Sequence, residues 1–459
     1  GGGIHLSGEA MQELNKLMGD LRGYSSPWDY TNIYLNFSRA GHANNNVENY
    51  VRDLDMRTAL ATTSYDYDGV HYTREYFNSH PDNVLVIRLE ADQDAKLTFD
   101  VQYGRNPSAE GDTITDSGSY GNNGNTYYGE LKVVNEGGEV TAESTKLCVT
   151  GANTVTLYLA VGTDYVMEYP TFRGEAPKEA VQARIATAVE KGYEQVKEDH
   201  VADHSELFGR LELGLGEEIP QIPTDELIDK YNNMVDGDGS NTPTVAEQRA
   251  LEVMCYQFGR YLTIAGSRPG SLPTNLQGVW GEGGFAWGGD YHFNINIQMN
   301  YWPTMASNLD ECLLPYIDYL NVLKVAGRQG AASAFGIKSE EGEENGWLVG
   351  CFSTPYMYAC MGQQGNATGW NPAGSAWALQ NAYEYYLYTG DVDYLRDNLY
   401  PSMKEVANFW NEALWWSEYQ QRYVSGPSYS PENGPIANGV SYDQQLIWEH
   451  FNNTIHAAE

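Results

Sequence analysis

The sequence predicts a multidomain protein: an N-terminal antiparallel β-sandwich, a helical linker and part of an (α/α)6 toroid. Three observations carry this. Apolar and polar residues alternate with period two from about residue 50 to 165. The period becomes helical over 177–211. From 244 onward, helical segments follow one another with long Gly- and Asn-rich loops between them. At 459 residues the chain is too long for one ordinary domain. We place the sandwich at residues 1–170, the linker at 171–215 and the toroid at 216–459. The sandwich starts abruptly, so earlier strands are expected to be missing, and the toroid is expected to stop short.

In the first part, "TTSYDYDGVHYTREYF" (62–77) is two alternating runs around Asp68-Gly69, a strong hairpin signal. "NVLVIRLEA", "KLTFDVQYG" and "TVTLYLAVG" read as further strands, and "SAEGDTITDSGSYGNNGNTYYG" as a polar loop between them. In the linker, Pro177 suits a first helical turn, and Val181, Ile185, Val189 and Tyr193 share one helical face. Six helices are expected after that. The first carries Leu251, Cys255, Phe258 and Leu262 on its stripe. "LLPYIDYLNVLKVAGRQGAASAFG" is the second, and "SAWALQNAYEYYLYTG" the third, closed by Gly390. Asp391 caps a fourth, Pro401 opens a fifth, and Ser441 with Gln444 forms a capping box on a sixth.

Composition narrows the function. With 62 Asp and Glu against 27 Lys and Arg, the net charge is −35. Such a field repels nucleic acid and anionic membranes and suits a neutral or cationic partner. It also suits a soluble, exported bacterial protein. No stretch approaches the roughly 18 unbroken apolar residues of a membrane helix, and "GGGIHLSGEAMQEL" lacks the features of a signal peptide. Five cysteines (Cys148, Cys255, Cys312, Cys351, Cys360) without a CxxC support neither a disulfide framework nor a zinc ribbon; Cys351 and Cys360 could pair, but buried free thiols are expected for most. Aromatic residues make up 13% of the chain. Sugar clefts use aromatic faces, as cores do, so this is a hint only.

The densest stretch is "SLPTNLQGVWGEGGFAWGGDYHFNINIQMNYWPTMASNLDEC" (271–312). Asn294 and Asn296 alternate with Ile295 and Ile297, which in an extended segment puts both amides on one side. Two such carbonyls can orient a single water; they can equally cap backbone groups of a buried loop. Glu432, in "GPSYSPENGPIANGVSYDQQ" (426–445), is either a solvated loop carboxylate or a general acid. An acid must protonate a leaving oxygen, which needs a raised pKa and hence partial burial. Weaker signals are set aside. His200 and His204 stand four apart but lack a third ligand and a catalytic Glu. "DGDGSNTPTVAE" has Asn241 where a calcium loop needs Gly.

"SRPGSLPTNLQGVW", "GGDYHFNINIQMNYWP", "LYTGD" and "SPEN" before a capped helix resemble glycoside hydrolase family 95, as does "RDLDMRTALATTSY…GVHYTREYFNSHPDNVLVIRL" upstream. That family consists mainly of inverting α-L-fucosidases acting on terminal α-1,2-linked fucose. The resemblance implies that Glu432 is the general acid and that Asn294 and Asn296 hold the attacking water, activated through an aspartate beyond this chain. It implies that His292 contacts a sugar hydroxyl and that Trp370, or nearby Trp377, forms an apolar wall for the fucose methyl. It further implies a fucosylated glycan partner, no metal, no organic cofactor, and an extracellular or cell-surface location. Three other readings are weighed: an α-L-galactosidase on the same fold, a carbohydrate-binding protein without catalysis, and a polysaccharide lyase. The last is disfavoured by the shortage of Arg and Lys near the motif.

Overall fold

A computed structural model describes residues 4–5, 30–42, 46–121, 123–237, 239–281, 286–339, 345–359 and 370–459. Backbone pairing is antiparallel throughout the strands. They are β1 (Ile4–His5), β2 (Ile33–Asn36), β3 (Glu48–Asp55), β4 (Leu60–Tyr67), β5 (Val70–Ser79), β6 (Val84–Ala91), β7 (Leu97–Tyr103), β8 (Pro107–Glu110), β9 (Thr113–Tyr120), β10 (Asn125–Glu136), β11 (Glu139–Glu143), β12 (Lys146–Ala152) and β13 (Thr154–Thr163). An eight-stranded sheet runs β3-β4-β5-β6-β13-β10-β9-β8, and a four-stranded sheet runs β11-β12-β7-β2.

The two sheets face each other across one core. Leu97, Phe99, Val101, Leu147 and Val149 from the smaller sheet meet Ile87, Leu89, Ile114, Leu131, Val133, Val155 and Leu157 from the larger. The larger sheet is covered on its other side too. There Phe77, Val84, Val86, Tyr128 and Tyr158 pack on Val181, Ile185, Ala188 and Val196 of α1 (Lys178–Lys191) and α2 (Tyr193–Phe208). This double burial is why "VLVIRL" is nearly continuous in apolar residues.

The β4–β5 hairpin turns where expected. Tyr67 pairs with Val70, and Asp68 (φ 51°) and Gly69 (φ 72°) hold the left-handed conformations a two-residue turn needs. The expected polar loop over 108–129 is instead strand. β8, β9 and β10 pair in register across it, around a turn at Gly121 and Gly124. Gly118 lies against the Tyr127 ring so closely that a Cβ there would stand 2.9 Å from a ring carbon. Glycine here permits cross-strand aromatic packing rather than marking a loop.

The helical part contains α3 (Thr224–Val235), α4 (Val245–Gly266), α5 (Asn296–Ala306), α6 (Leu314–Phe335), α7 (Gly374–Thr389), α8 (Tyr400–Ala413) and α9 (Ser441–Ala458). Among the described residues these helices do not close into a barrel. α3 and α5 were not legible as helices. The expected fourth and fifth helices merge: Asp391 caps the turn at Val392–Tyr394, which runs through a π-helical stretch (Leu395–Leu399) straight into α8. The expected stripe of α4 is not its core face. Cys255 and Phe258 are exposed, whereas Ala250, Arg260 and Ile264 are buried. Arg260 turns inward because its guanidinium donates to the carbonyls of Leu207, Phe208 and Leu211 at the end of α2. The capping box expected at α9 is also absent: Val440 is the N-cap, and Ser441 Oγ accepts from Gln445 instead.

His200 and His204 join the parts. Their Nε2 atoms face the carbonyls of Ala59 (3.3 Å) and Met56 (2.9 Å), and their rings stack between Phe77 and Phe208. Among the described residues no cluster of three or more His, Cys, Asp or Glu could hold a metal ion. Among the same residues no helix is long and apolar enough to cross a membrane.

Candidate active site

The site grows from a short antiparallel pair, β14 (Tyr291–His292) and β15 (Phe352–Ser353). Period-two alternation sends Tyr291 into the core against Tyr319, with ring centroids 4.9 Å apart. His292 points to the other face, edge-on to Phe352 at 4.7 Å. Its Nδ1 faces the carboxyl of Asp290, which is only 1% exposed. Asp290 stands two residues before His292 in an extended segment, a spacing that the sequence displayed and that can orient the imidazole.

Beyond His292 the chain does not stay extended. Phe293 N–H donates to Cys351 O (2.7 Å), and Asn296 is the first residue of α5. Gln298 fixes that turn: its Nε2 donates to Phe293 O (2.8 Å), while its backbone carbonyl accepts from Asn381 Nδ2 (3.1 Å). The alternation argument for Asn294 and Asn296 therefore fails at Asn296. Both are half-buried, and Asn294 Oδ1 is buried with no hydrogen-bond partner among the described residues. A buried, unpaired acceptor is costly, and a bound water is one group that would satisfy it.

Glu432 rides at the tip of a loop closed at its neck. Ser428 and Ala437 exchange two backbone hydrogen bonds (2.9 and 2.8 Å), and Ile436 and Ala437 are buried. Residues 432–435 are exposed. The partial burial expected for Glu432 is thus absent, because the buried anchor lies at the neck, not the tip. The outer edge of the neck, Ala437–Asn438, pairs with β1.

Trp370 is 1% exposed and sits in the core, with its indole N–H unpartnered among the described residues. Its carbonyl accepts from Tyr429 N–H (2.7 Å), which ties it to the Glu432 loop. Trp377 is half-buried and lies edge-on to Tyr442 at 5.5 Å. Asn371 Nδ2 donates to Tyr442 Oη (3.1 Å).

Cys351 shows what converges. Burial pushes its thiol well above the ordinary range, and the charges of Glu432, Asp443 and Asp290 push it the same way. Backbone and side-chain bonds tie these segments together: Phe293 N–H binds Cys351 O, Tyr429 of the Glu432 loop binds Trp370 O, and Tyr442 of α9 binds Asn371. Burial and Glu432 likewise raise the Tyr429 phenol. Asp443 is fully buried and lifted to about 7 by desolvation, against the lowering effect of the Ser428 and Ser425 hydroxyls. Cys351, Asn371 and Asp443 carry no local signal as candidate site residues, since their surroundings depend on burial and long-range pairing, whereas Asp290 is signalled by its spacing from His292. Cys351 is a free buried thiol; Cys360, its suggested partner, lies outside the described residues.

The family model for the glycosyl hydrolase family 95 catalytic domain matches residues 192–459. That is more than half of the chain. The chain belongs to glycoside hydrolase family 95. Residues 6–168 match the family 65 N-terminal domain. Similar proteins include "Probable alpha-fucosidase A" of Aspergillus niger, 30% identical over 96% of this chain and 56% of its own length. "Alpha-L-fucosidase 2" of Arabidopsis thaliana is 27% identical over 99% of this chain and 56% of its own. The family 95 chain thus spans about half the length of the curated relatives it matches. A solved structure named "Putative kojibiose phosphorylase from human microbiome" superposes with a TM-score of 0.56 at 12% identity, covering 89% of this chain and 52% of that one. At that identity the likeness is one of fold.

Proposed function

We propose that the protein to which these residues belong is an inverting exo-α-L-fucosidase. It releases terminal α-1,2-linked L-fucose from glycans outside the cell or at its surface. The observation that carries this reading is the buried Asp290–His292 pair with the unpaired Asn294 carbonyl next along the chain, in the part of the chain that the family 95 catalytic model matches. The fucosidase names of the relatives point the same way.

In the proposed step, Glu432 gives its proton to the glycosidic oxygen as the bond from that oxygen to the fucose anomeric carbon breaks. A water held by Asn294 and Asn296 forms the new bond from the opposite face. Its proton passes to a carboxylate behind the amides, because an amide is too weak a base. His292, steered by Asp290, binds a sugar hydroxyl, and half-buried Trp377, with Trp370 sealed in the core, is the candidate wall for the fucose methyl. Glu432, exposed at the loop tip, loses its contact with water when substrate covers it. His292 and the apolar wall together favour fucose over L-galactose, which carries an extra hydroxyl on C6.

Release of free sugar from 2′-fucosyllactose and from an α-L-galactoside, by the full-length protein, tests this. Rapid release of fucose and slow release of galactose is expected. The reverse preference would keep the fold and overturn the substrate, and silence on both would leave a carbohydrate-binding role.

A further inference from the structure

Asp443 occupies the first turn of α9 and is 0% exposed. A carboxylate at that place ordinarily serves its own helix N-terminus. Here α9 has no side-chain cap bond, and Asp443 Oδ1 instead accepts from Ser428 Oγ at 2.9 Å. Oδ2 is buried without a hydrogen-bond partner among the described residues, and no ion pair to Asp443 is formed among them. A buried carboxyl so poorly compensated is costly to keep.

Its hydrogen bond to Ser428 leads directly to the loop neck. Ser428 is the residue whose backbone closes the loop against Ala437, four residues before Glu432. A second tie runs parallel: Tyr442, beside Asp443, accepts from Asn371, and Trp370 O accepts from Tyr429 N–H. The exposed tip thus hangs from two contacts that converge on the start of α9. The Ser425 and Ser428 hydroxyls face the carboxyl, and burial and then its charge raise the Tyr442 phenol and the Cys351 thiol.

We propose that Asp443 is the positioning residue of the Glu432 loop, fixing where the acid stands by holding Ser428 at the neck. This rests on the reading of Glu432 as general acid. A misplaced acid matters in proportion to the leaving group's need for a proton. An alkoxide leaving from lactose needs one, whereas fluoride needs little help.

The test uses the full-length protein with 2′-fucosyllactose and α-L-fucosyl fluoride, comparing D443A, D443N, S428A and E432Q. D443A and S428A are expected to lower kcat on the oligosaccharide about 100-fold, the scale of an ångström's misplacement, with KM within about threefold. Their turnover of the fluoride should stay within about threefold. D443N, which keeps an acceptor oxygen for Ser428, should recover at least about tenfold over D443A. Equal losses on both substrates would mean a merely structural role, and no loss would mean none; either overturns the proposal. S428A keeps the test decisive should D443A fail to fold. If E432Q itself shows no split between the two substrates, the acid assignment falls and the proposal falls with it.

Discussion

At the scale of single residues, burial decides which carboxyls are unusual, and it does so against expectation. Glu432 has the sequence context of a catalytic acid yet stands exposed, while Asp443, eleven residues later, is sealed in with a pKa raised to about 7. Two outcomes follow. Glu432→Gln is expected to reduce kcat on a fucosyl-oligosaccharide by about 10³-fold, within the usual range for a lost general acid, with little effect on fucose binding by calorimetry. For Asp443 the sign runs through proton linkage. Its folded pKa lies above the ordinary 3.8, so the folded state holds the proton more tightly. The resulting stability is fully present below about pH 4 and is lost as pH rises to about 7. Asp443→Asn removes this dependence. In thermal melts the Asn variant should therefore exceed wild type at pH 8, and the gap should close by pH 4. A gap that widens toward low pH would contradict the assignment.

At the scale of elements, legibility followed how local the determining physics was. The β4–β5 hairpin was readable because Asp68-Gly69 dictates its own turn, and α1 because Val181 and Ile185 mark its stripe. β9 was not, since Gly118 is chosen by the Tyr127 ring across the sheet. The stripe of α4 misled because Arg260, a charged residue, is the one drawn inside by distant carbonyls. Asn296 misled because Gln298 starts a helix there through a carbonyl five residues back. Within the candidate site, His292 and Glu432 are named by motifs, and the structure adds the burial of the one and the exposure of the other. Asp443 and Cys351 are named by none, because nothing local announces burial. α2 offers a direct check. His204→Ala removes a buried ring that holds Met56 O and stacks on Phe208, and should cost about 2–4 kcal/mol in denaturant unfolding. A change under about 0.5 kcal/mol would mean the histidines do not dock helix to sandwich.

At the scale of the whole molecule, three arrangements share one chain: sheets joined by alternation, a helical pair that covers the larger sheet, and a helical region whose loops carry the site. The net charge of −35 acts on all of them through self-repulsion. Raising monovalent salt from about 10 to 200 mM shortens the Debye length to below about 10 Å and should raise the melting temperature by a few degrees. A flat or falling response would show that local ion pairs such as Arg328–Glu405 outweigh the overall field. The proposed attack by water from the face opposite Glu432 would fix the configuration of the product. The most direct measurement is proton NMR of the sugar first released from 2′-fucosyllactose by the full-length protein, before mutarotation. β-L-fucose appearing first, and vanishing in Glu432→Gln, is the result expected of an inverting fucosidase with Glu432 as its acid. α-L-fucose appearing first, or undiminished release by Glu432→Gln, would contradict it.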